Sequence, residues 1–135
     1  MSEISVLGAG SWGTVLSDLL AKNNNEVKIW TRNKFIYEEI LNSKTNVKFL
    51  PNINLSNTIH PSLDLSECFG KNKIIIIAIP SKGIKDISKE IKKLHHSSNR
   101  YILASKGIDL DTFDTMSEIL SKEANISSNQ IYVLS

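Results

Sequence analysis

The chain has a single cysteine, Cys68. No disulfide framework can form within it, which fits a reducing compartment. Cys68 stands among Leu65 and Phe69, where a free thiol packs as a small hydrophobe. Neither sign of charge is in real excess. Sixteen Lys and Arg against fourteen Asp and Glu leave a net charge of +2. That is too little to mark a nucleic-acid or membrane surface. The densest basic cluster, Lys89, Lys92 and Lys93, sits at helical spacing and reads as a solvated face. No basic stretch leading into an apolar one opens the chain, so no signal peptide is read. The longest apolar run, residues 74–80, is far too short to span a bilayer. Both readings point to a cytoplasmic, soluble domain. His60, His95 and His96 do not make a metal constellation, and no paired carboxylates or Ser–His–Asp arrangement can be assembled. There is no low-complexity tract and no linker, and 135 residues suffice for one domain rather than two.

What is present is a rhythm. Residues 3–7 read as a strand and 11–22 as a helix with Trp12, Val15, Leu16, Leu19 and Leu20 at helical spacing. Asn23, Asn24 and Asn25 stop that helix, since Asn tolerates the left-handed conformation. A strand is expected at 26–31 and a helix at 34–42 with Phe35, Ile36, Ile40 and Leu41 on its apolar side. Residues 43–61 are irregular and polar, with a short strand at 58–60. A helical pattern covers 62–69. Residues 73–79 form the clearest strand; its lack of alternation indicates burial on both faces. An amphipathic helix over 84–94 directs Ile84, Ile87, Ile91 and Leu94 inward. A strand at 100–104, a helix at 111–124 (Phe113, Met116, Ile119 and Leu120 on one face) and a strand at 131–134 follow. Strand and helix alternate throughout, so the expected fold class is α/β: a doubly wound parallel sheet of order 3-2-1-4-5-6, the Rossmann arrangement.

Ligands of such sheets bind beyond the carboxyl ends of the strands. After the first strand come Gly8, Gly10 and Gly13, a G-x-G-x-x-G at a strand-to-helix junction. Gly8 allows a tight turn, Gly10 lets a pyrophosphate approach the backbone, and Gly13 lets the helix pack on the strand. The helix N-terminus offers N–H groups and the positive end of its dipole. Ser11 reads either as part of this loop or as a helix cap, and Trp12 as loop or as packing. An NAD-selective site carries an acid at the end of the second strand; here Thr31 and Arg32 stand there. Arg32 can stack on adenine and fork onto a 2′-phosphate, assisted by Asn33 or Lys34, which points to NADP(H). The alternative is a surface arginine capping the next helix. Pro80 follows the 73–79 strand. Lys106, beside Gly107, follows the next. Spacing alone leaves Lys106 open between a solvated loop lysine and one facing the crevice.

Several motifs then occur in order: VLGAGSWGT at 6–14, IW-x-R at 29–32, N-x-x-FLP at 46–51, IAIPS at 77–81 and SKGI at 105–108. Together they resemble the amino-terminal domain of the bacterial NAD(P)-dependent sn-glycerol-3-phosphate dehydrogenases, over essentially the whole chain. The resemblance implies reversible hydride transfer between glycerol 3-phosphate and dihydroxyacetone phosphate, in the direction that makes a phospholipid precursor. It implies a cofactor-binding set of Gly8, Gly10, Ser11, Trp12, Gly13, Arg32, Asn33, Pro80 and Lys106. Lys106 also meets the substrate. Arg32 makes NADP(H) the expected cofactor; Asn33 departs from the second basic residue often seen beside it, which counts against a strict NADP(H) preference and keeps NAD(H) as the alternative. In that family a helical domain follows and supplies the catalytic residues, and the full-length protein is a candidate homodimer. Residues 1–135 are therefore expected to be the cofactor domain alone, binding nucleotide with little or no turnover. Two other readings stand beside it. One is a different dehydrogenase with the same kind of amino-terminal domain, of 3-hydroxyacid or 6-phosphogluconate type, against which FLPN and SKGI count. The other is a non-catalytic nucleotide-sensing module.

Overall fold

The computed structural model describes residues 3–71 and 73–134. Six strands form one sheet: β1 (Glu3–Leu7), β2 (Glu26–Trp30), β3 (Ile59–Ser62), β4 (Ile74–Ile77), β5 (Arg100–Leu103) and β6 (Ile131–Val133). Every neighbouring pair is parallel, and the order is β3-β2-β1-β4-β5-β6. This is the expected doubly wound order, with β1 and β4 side by side where the winding reverses. Four helices cover the faces: α1 (Ser11–Lys22), α2 (Lys34–Ser43), α3 (Ile84–Leu94) and α4 (Met116–Ala124).

The run of isoleucines in β4 divides between two cores. Ile75 and Ile77 pack with Leu7, Tyr101 and Leu103 against α3 and α4, while Ile76 packs with Ile4, Val6 and Ile29 on the other face. Successive strand side chains point to opposite faces, so a strand covered on both sides must be apolar at every position. Cys68 is fully buried in the first of these cores, and burial pushes its thiol up to about 12. That is the packing role expected of it. Asn24 takes the left-handed conformation (φ 66°) just after α1, as the triple asparagine predicts. Among the described residues, no helix is long and apolar enough to cross a membrane.

Four expectations are corrected. The helical pattern over 62–69 is the end of β3 followed by one 3-10 turn, Leu65–Cys68. Asp64 terminates the strand locally, its carboxylate accepting from the Ser66 N–H at 2.9 Å. β3 tolerates Pro61 because it lies at the sheet edge. The helix expected from 111 begins only at Met116. Upstream, the Asp109 carboxylate takes the N–H groups of Asp111 and Thr112, and Phe113 is left-handed (φ 60°) and 71% exposed. A capping box between Thr115 and Glu118 then starts α4. In α2 only Ile36 and Ile40 of the expected four are buried; Phe35 and Leu41 face outward. The fourth correction concerns α1. Its buried residues are Gly13, Thr14, Ser17, Asp18 and Ala21, whereas Trp12 and Leu19 are exposed. The helix lies so close to the chain beneath it that small side chains face inward.

Candidate functional site

The closeness of α1 originates at the glycine loop. Gly8 leaves β1 at φ +116°, a conformation side-chain-bearing residues rarely adopt. Its N–H donates to the Trp30 carbonyl at 2.9 Å. A Cβ on Gly8 would lie 2.6 Å from the Ala78 carbonyl oxygen, and one on Gly13 would lie 2.0 Å from the Gly8 carbonyl oxygen. Gly10 is different: nothing lies within 4 Å of where its Cβ would be. Gly10 is also the N-cap of α1, and no side chain caps this helix. Ser11 is the first helical residue and not a cap. The first-turn N–H groups are therefore available at an open face of backbone, as anion binding at a helix N-terminus requires.

That face is the floor of a cleft of about 660 Å³ at the carboxyl ends of β1, β2, β4 and β5. The volume is in the range of small-molecule and cofactor sites. Gly8, Gly10, Ser11, Trp12, Arg32, Asn33, Pro80 and Lys106 all line it, and Gly13 sits underneath. Arg32, Lys48 and Lys106 contribute three cationic side chains, and no carboxylate is among the described lining residues. A cleft so charged suits a dianionic pyrophosphate.

Arg32 follows β2. Its guanidinium lies 5.3 Å from the centre of the Trp30 ring and is ion-paired with Glu90 of α3. Asn33 is the N-cap of α2: its Oδ1 accepts from the N–H groups of Phe35 at 2.9 Å and Ile36 at 3.2 Å. The capping role that sequence offered as an alternative for Arg32 belongs to this asparagine. Pro80 precedes a 3-10 turn, Ser81–Gly83, that leads into α3. Lys106 is exposed on the loop after β5. The Ser105 hydroxyl donates to the Ile79 carbonyl, tying this loop to the one after β4, and Gly107 turns the chain at φ +123°.

Sequence reasoning on the residues missed one wall. Lys48 and Phe49 also line the cleft, with the Lys48 ammonium 5.2 Å from the Phe49 ring centre. Asn46 holds them there. It is fully buried, and its Nδ2 donates to the Ala9 carbonyl and to Thr14 Oγ1, both at 2.9 Å. Its main-chain carbonyl accepts from the Phe49 and Leu50 N–H groups. One asparagine thus pins the 46–50 turn to the glycine loop. The available signal was a polar residue three before an aromatic–Leu–Pro run, inside a stretch without periodicity.

The family model described as NAD-dependent glycerol-3-phosphate dehydrogenase N-terminus matches residues 3–135. The chain belongs to this family. Among its relatives is the glycerol-3-phosphate dehydrogenase [NAD(P)+] of Fusobacterium nucleatum, 36% identical over 135 residues, which are 100% of this chain and 40% of that protein. The enzyme of the same name from Leuconostoc citreum is 33% identical over 91% of this chain and 37% of its own length. Among solved structures, the glycerol-3-phosphate dehydrogenase of Coxiella burnetii superimposes with a TM-score of 0.84 at 26% identity, covering 97% of this chain and 39% of that one. The corresponding enzyme of Saccharomyces cerevisiae gives 0.85 at 25% identity, over 98% and 41%. The chain spans about 40% of the length of the curated relatives it matches. In every member of this glycerol-3-phosphate dehydrogenase group named here, the matched region is a minority of the whole protein.

Proposed function

We propose that the cleft holds NADP(H) or NAD(H), and that this chain is the cofactor domain of an NAD(P)-dependent sn-glycerol-3-phosphate dehydrogenase. The observation that carries the reading is the uncapped N-terminus of α1, open at Gly10, on the floor of a cleft edged by three cations. Gly8, Gly10, Ser11 and Trp12 seat the pyrophosphate, with Gly13 as the close-packed support beneath. Arg32 takes the 2′-phosphate of the adenosine ribose, with Asn33 fixing the turn that presents it. Pro80 borders the cleft. Lys106 lies at the nicotinamide end and holds a substrate phosphate or hydroxyl as a point charge. The bound cofactor supplies or accepts the hydride that interconverts dihydroxyacetone phosphate and glycerol 3-phosphate. The described lining residues include no carboxylate, histidine or tyrosine, and in this reading the lysines, Lys48 and Lys106, serve as charge contacts rather than as proton donors to the carbonyl oxygen. The 135-residue chain accordingly binds nucleotide without turning over substrate. A cytoplasmic location and a homodimeric full-length protein belong to the same proposal.

Calorimetric titration with NADPH and NADH tests it. Both bind, NADPH more tightly, and Arg32→Ala weakens NADPH about 10- to 100-fold, the scale of one lost charge-assisted hydrogen bond. NADH affinity changes by less than about threefold, since only a ribose hydroxyl stands at that place. Equal affinities, with a ratio unmoved by Arg32→Ala, would sink the phosphate role of Arg32. Adding dihydroxyacetone phosphate to the NADPH-loaded chain leaves the 340 nm absorbance of about one bound equivalent unchanged over hours; a steady decline would refute the cofactor-only reading.

A further inference from the structure

We propose that Glu90 on α3 competes with the cofactor's 2′-phosphate for Arg32, and so sets how strongly NADPH is preferred to NADH; this rests on the reading that the adenosine ribose lies at the end of β2. Arg32 Nη2 meets Glu90 Oε2 at 2.5 Å while the same guanidinium lies over Trp30. Two contacts, one from β2 and one from α3, thus hold the guanidinium. A second carboxylate, Asp86, stands one turn before Glu90 and borders a pocket shared with Arg32 and Trp30. Lys93 borders the adjoining pocket that Arg32 and Glu90 line together. Arg32 lines these pockets and the main cleft alike, so its guanidinium stands at a junction between the two.

The chemistry decides who gains. The fork offers its donors in one plane; the Glu90 carboxylate engages Nη2, and a phosphate that takes the fork through Nη2 competes with it for that group. The pair is exposed, with side chains 63% and 50% accessible, so it is weak enough to be displaced. A 2′-phosphate must break it and then sit near the released carboxylate. A ribose 2′-hydroxyl needs neither. Glu90 therefore opposes NADPH and is indifferent to NADH. It touches neither nucleotide: it is a positioning residue acting through Arg32.

The test is a double-mutant cycle on the 135-residue chain, reading the NADPH and NADH dissociation constants by calorimetry. Glu90→Gln keeps the shape and the exposed helical site while removing the charge. NADPH binding tightens about three- to tenfold and NADH binding stays within about twofold, an effect on the ratio that a structural role would not produce. In an Arg32→Ala background the same substitution shifts NADPH by less than about twofold. An unchanged ratio in Glu90→Gln, with both nucleotides still bound by the parent chain, overturns the competition and leaves the cofactor reading standing. A gain of undiminished size without Arg32 also overturns it, because Glu90 would then act by direct repulsion. Failure of the parent chain to bind either nucleotide overturns both.

Discussion

The glycine loop on the floor of the cleft and the cationic side chains at its ends sit on one edge of one sheet, but they are held in opposite ways. Gly8 and Gly13 are fixed by backbone contacts closer than any side chain permits. Arg32 and Lys106 stand on exposed turns, one of them held by a displaceable ion pair. The floor is specified by steric exclusion, and its shape follows from the fold itself. The ends are specified by side chains whose replacement leaves the fold untouched. Under the proposed function, the phosphate seat is thus built into the backbone, while selectivity is placed where it can change at little cost in stability.

The three glycines offer the sharpest way to break this contrast. Gly13→Ala drives a methyl to 2.0 Å from the Gly8 carbonyl oxygen, and neither is the end of a flexible side chain. The gain in helix propensity, about 1 kcal/mol, does not offset that overlap. A loss of about 2–4 kcal/mol is expected in urea unfolding, together with loss of nucleotide binding. Gly10→Ala separates the two effects. Its φ of −76° suits any residue and the space before it is open, so stability falls by no more than about 1 kcal/mol, the cost of placing Ala at an N-cap. The new methyl instead occupies the pyrophosphate's place, and NADPH affinity falls by more than about tenfold. Retained binding in Gly10→Ala would show that this face of the backbone is not the phosphate seat.

Asn46 ties the 46–50 turn to the floor. Asn46→Ala strands the buried Ala9 carbonyl and the Thr14 hydroxyl that its Nδ2 now satisfies. Leaving buried polar groups unpaired costs about 1–3 kcal/mol, so unfolding by urea is expected about 2 kcal/mol earlier. The 46–50 turn loses its anchor, and with it the Lys48 and Phe49 wall, so NADPH affinity drops as well. If stability falls while affinity holds, that wall contributes nothing to binding.

What was legible in the sequence follows the same division. The strand order and the glycine loop could be read because they depend on features that are local in sequence: apolar runs, and glycines placed between a strand and a helix. Asn23 to Asn25 ending α1 is of the same kind. The inward face of α1 could not be read from periodicity. Apolar residues at helical spacing mark a buried face only when the helix sits at ordinary distance from its neighbour. Here Gly13 brings the backbones together, and Thr14, Ser17 and Ala21 take the inside instead of Trp12 and Leu19. The overlong helix before α4 failed for another reason: Asp109 captures two N–H groups and the Thr115–Glu118 box fixes a later start, so side-chain-to-backbone bonds overrode propensity. Of the cleft lining, Gly8, Gly10, Ser11, Trp12, Arg32, Asn33, Pro80 and Lys106 were legible from their place after a strand, whereas Ala78, Ile79 and Ala104 were read as strand. Asn46, Lys48 and Phe49 were not legible, because their place is set by a bond spanning 37 residues from Asn46 to Ala9.

The smallest expected effect lies at the other end of the cleft. Lys106 is exposed, and the loop that carries it is held by other residues: the Ser105 hydroxyl on the Ile79 carbonyl and the turn at Gly107. Lys106→Ala therefore removes a charge without removing a support. Its unfolding free energy in urea stays within about 0.5 kcal/mol of the parent chain. Ser105→Ala, by contrast, unties the loop from its neighbour and costs about 1 kcal/mol. If the lysine serves the nicotinamide end and the substrate rather than the adenosine end, its loss also leaves the NADPH-to-NADH ratio unchanged, since the two nucleotides differ only at the 2′ position. A shift in that ratio would place Lys106 at the adenosine end instead, and a stability loss as large as that of Ser105→Ala would move it into the scaffold.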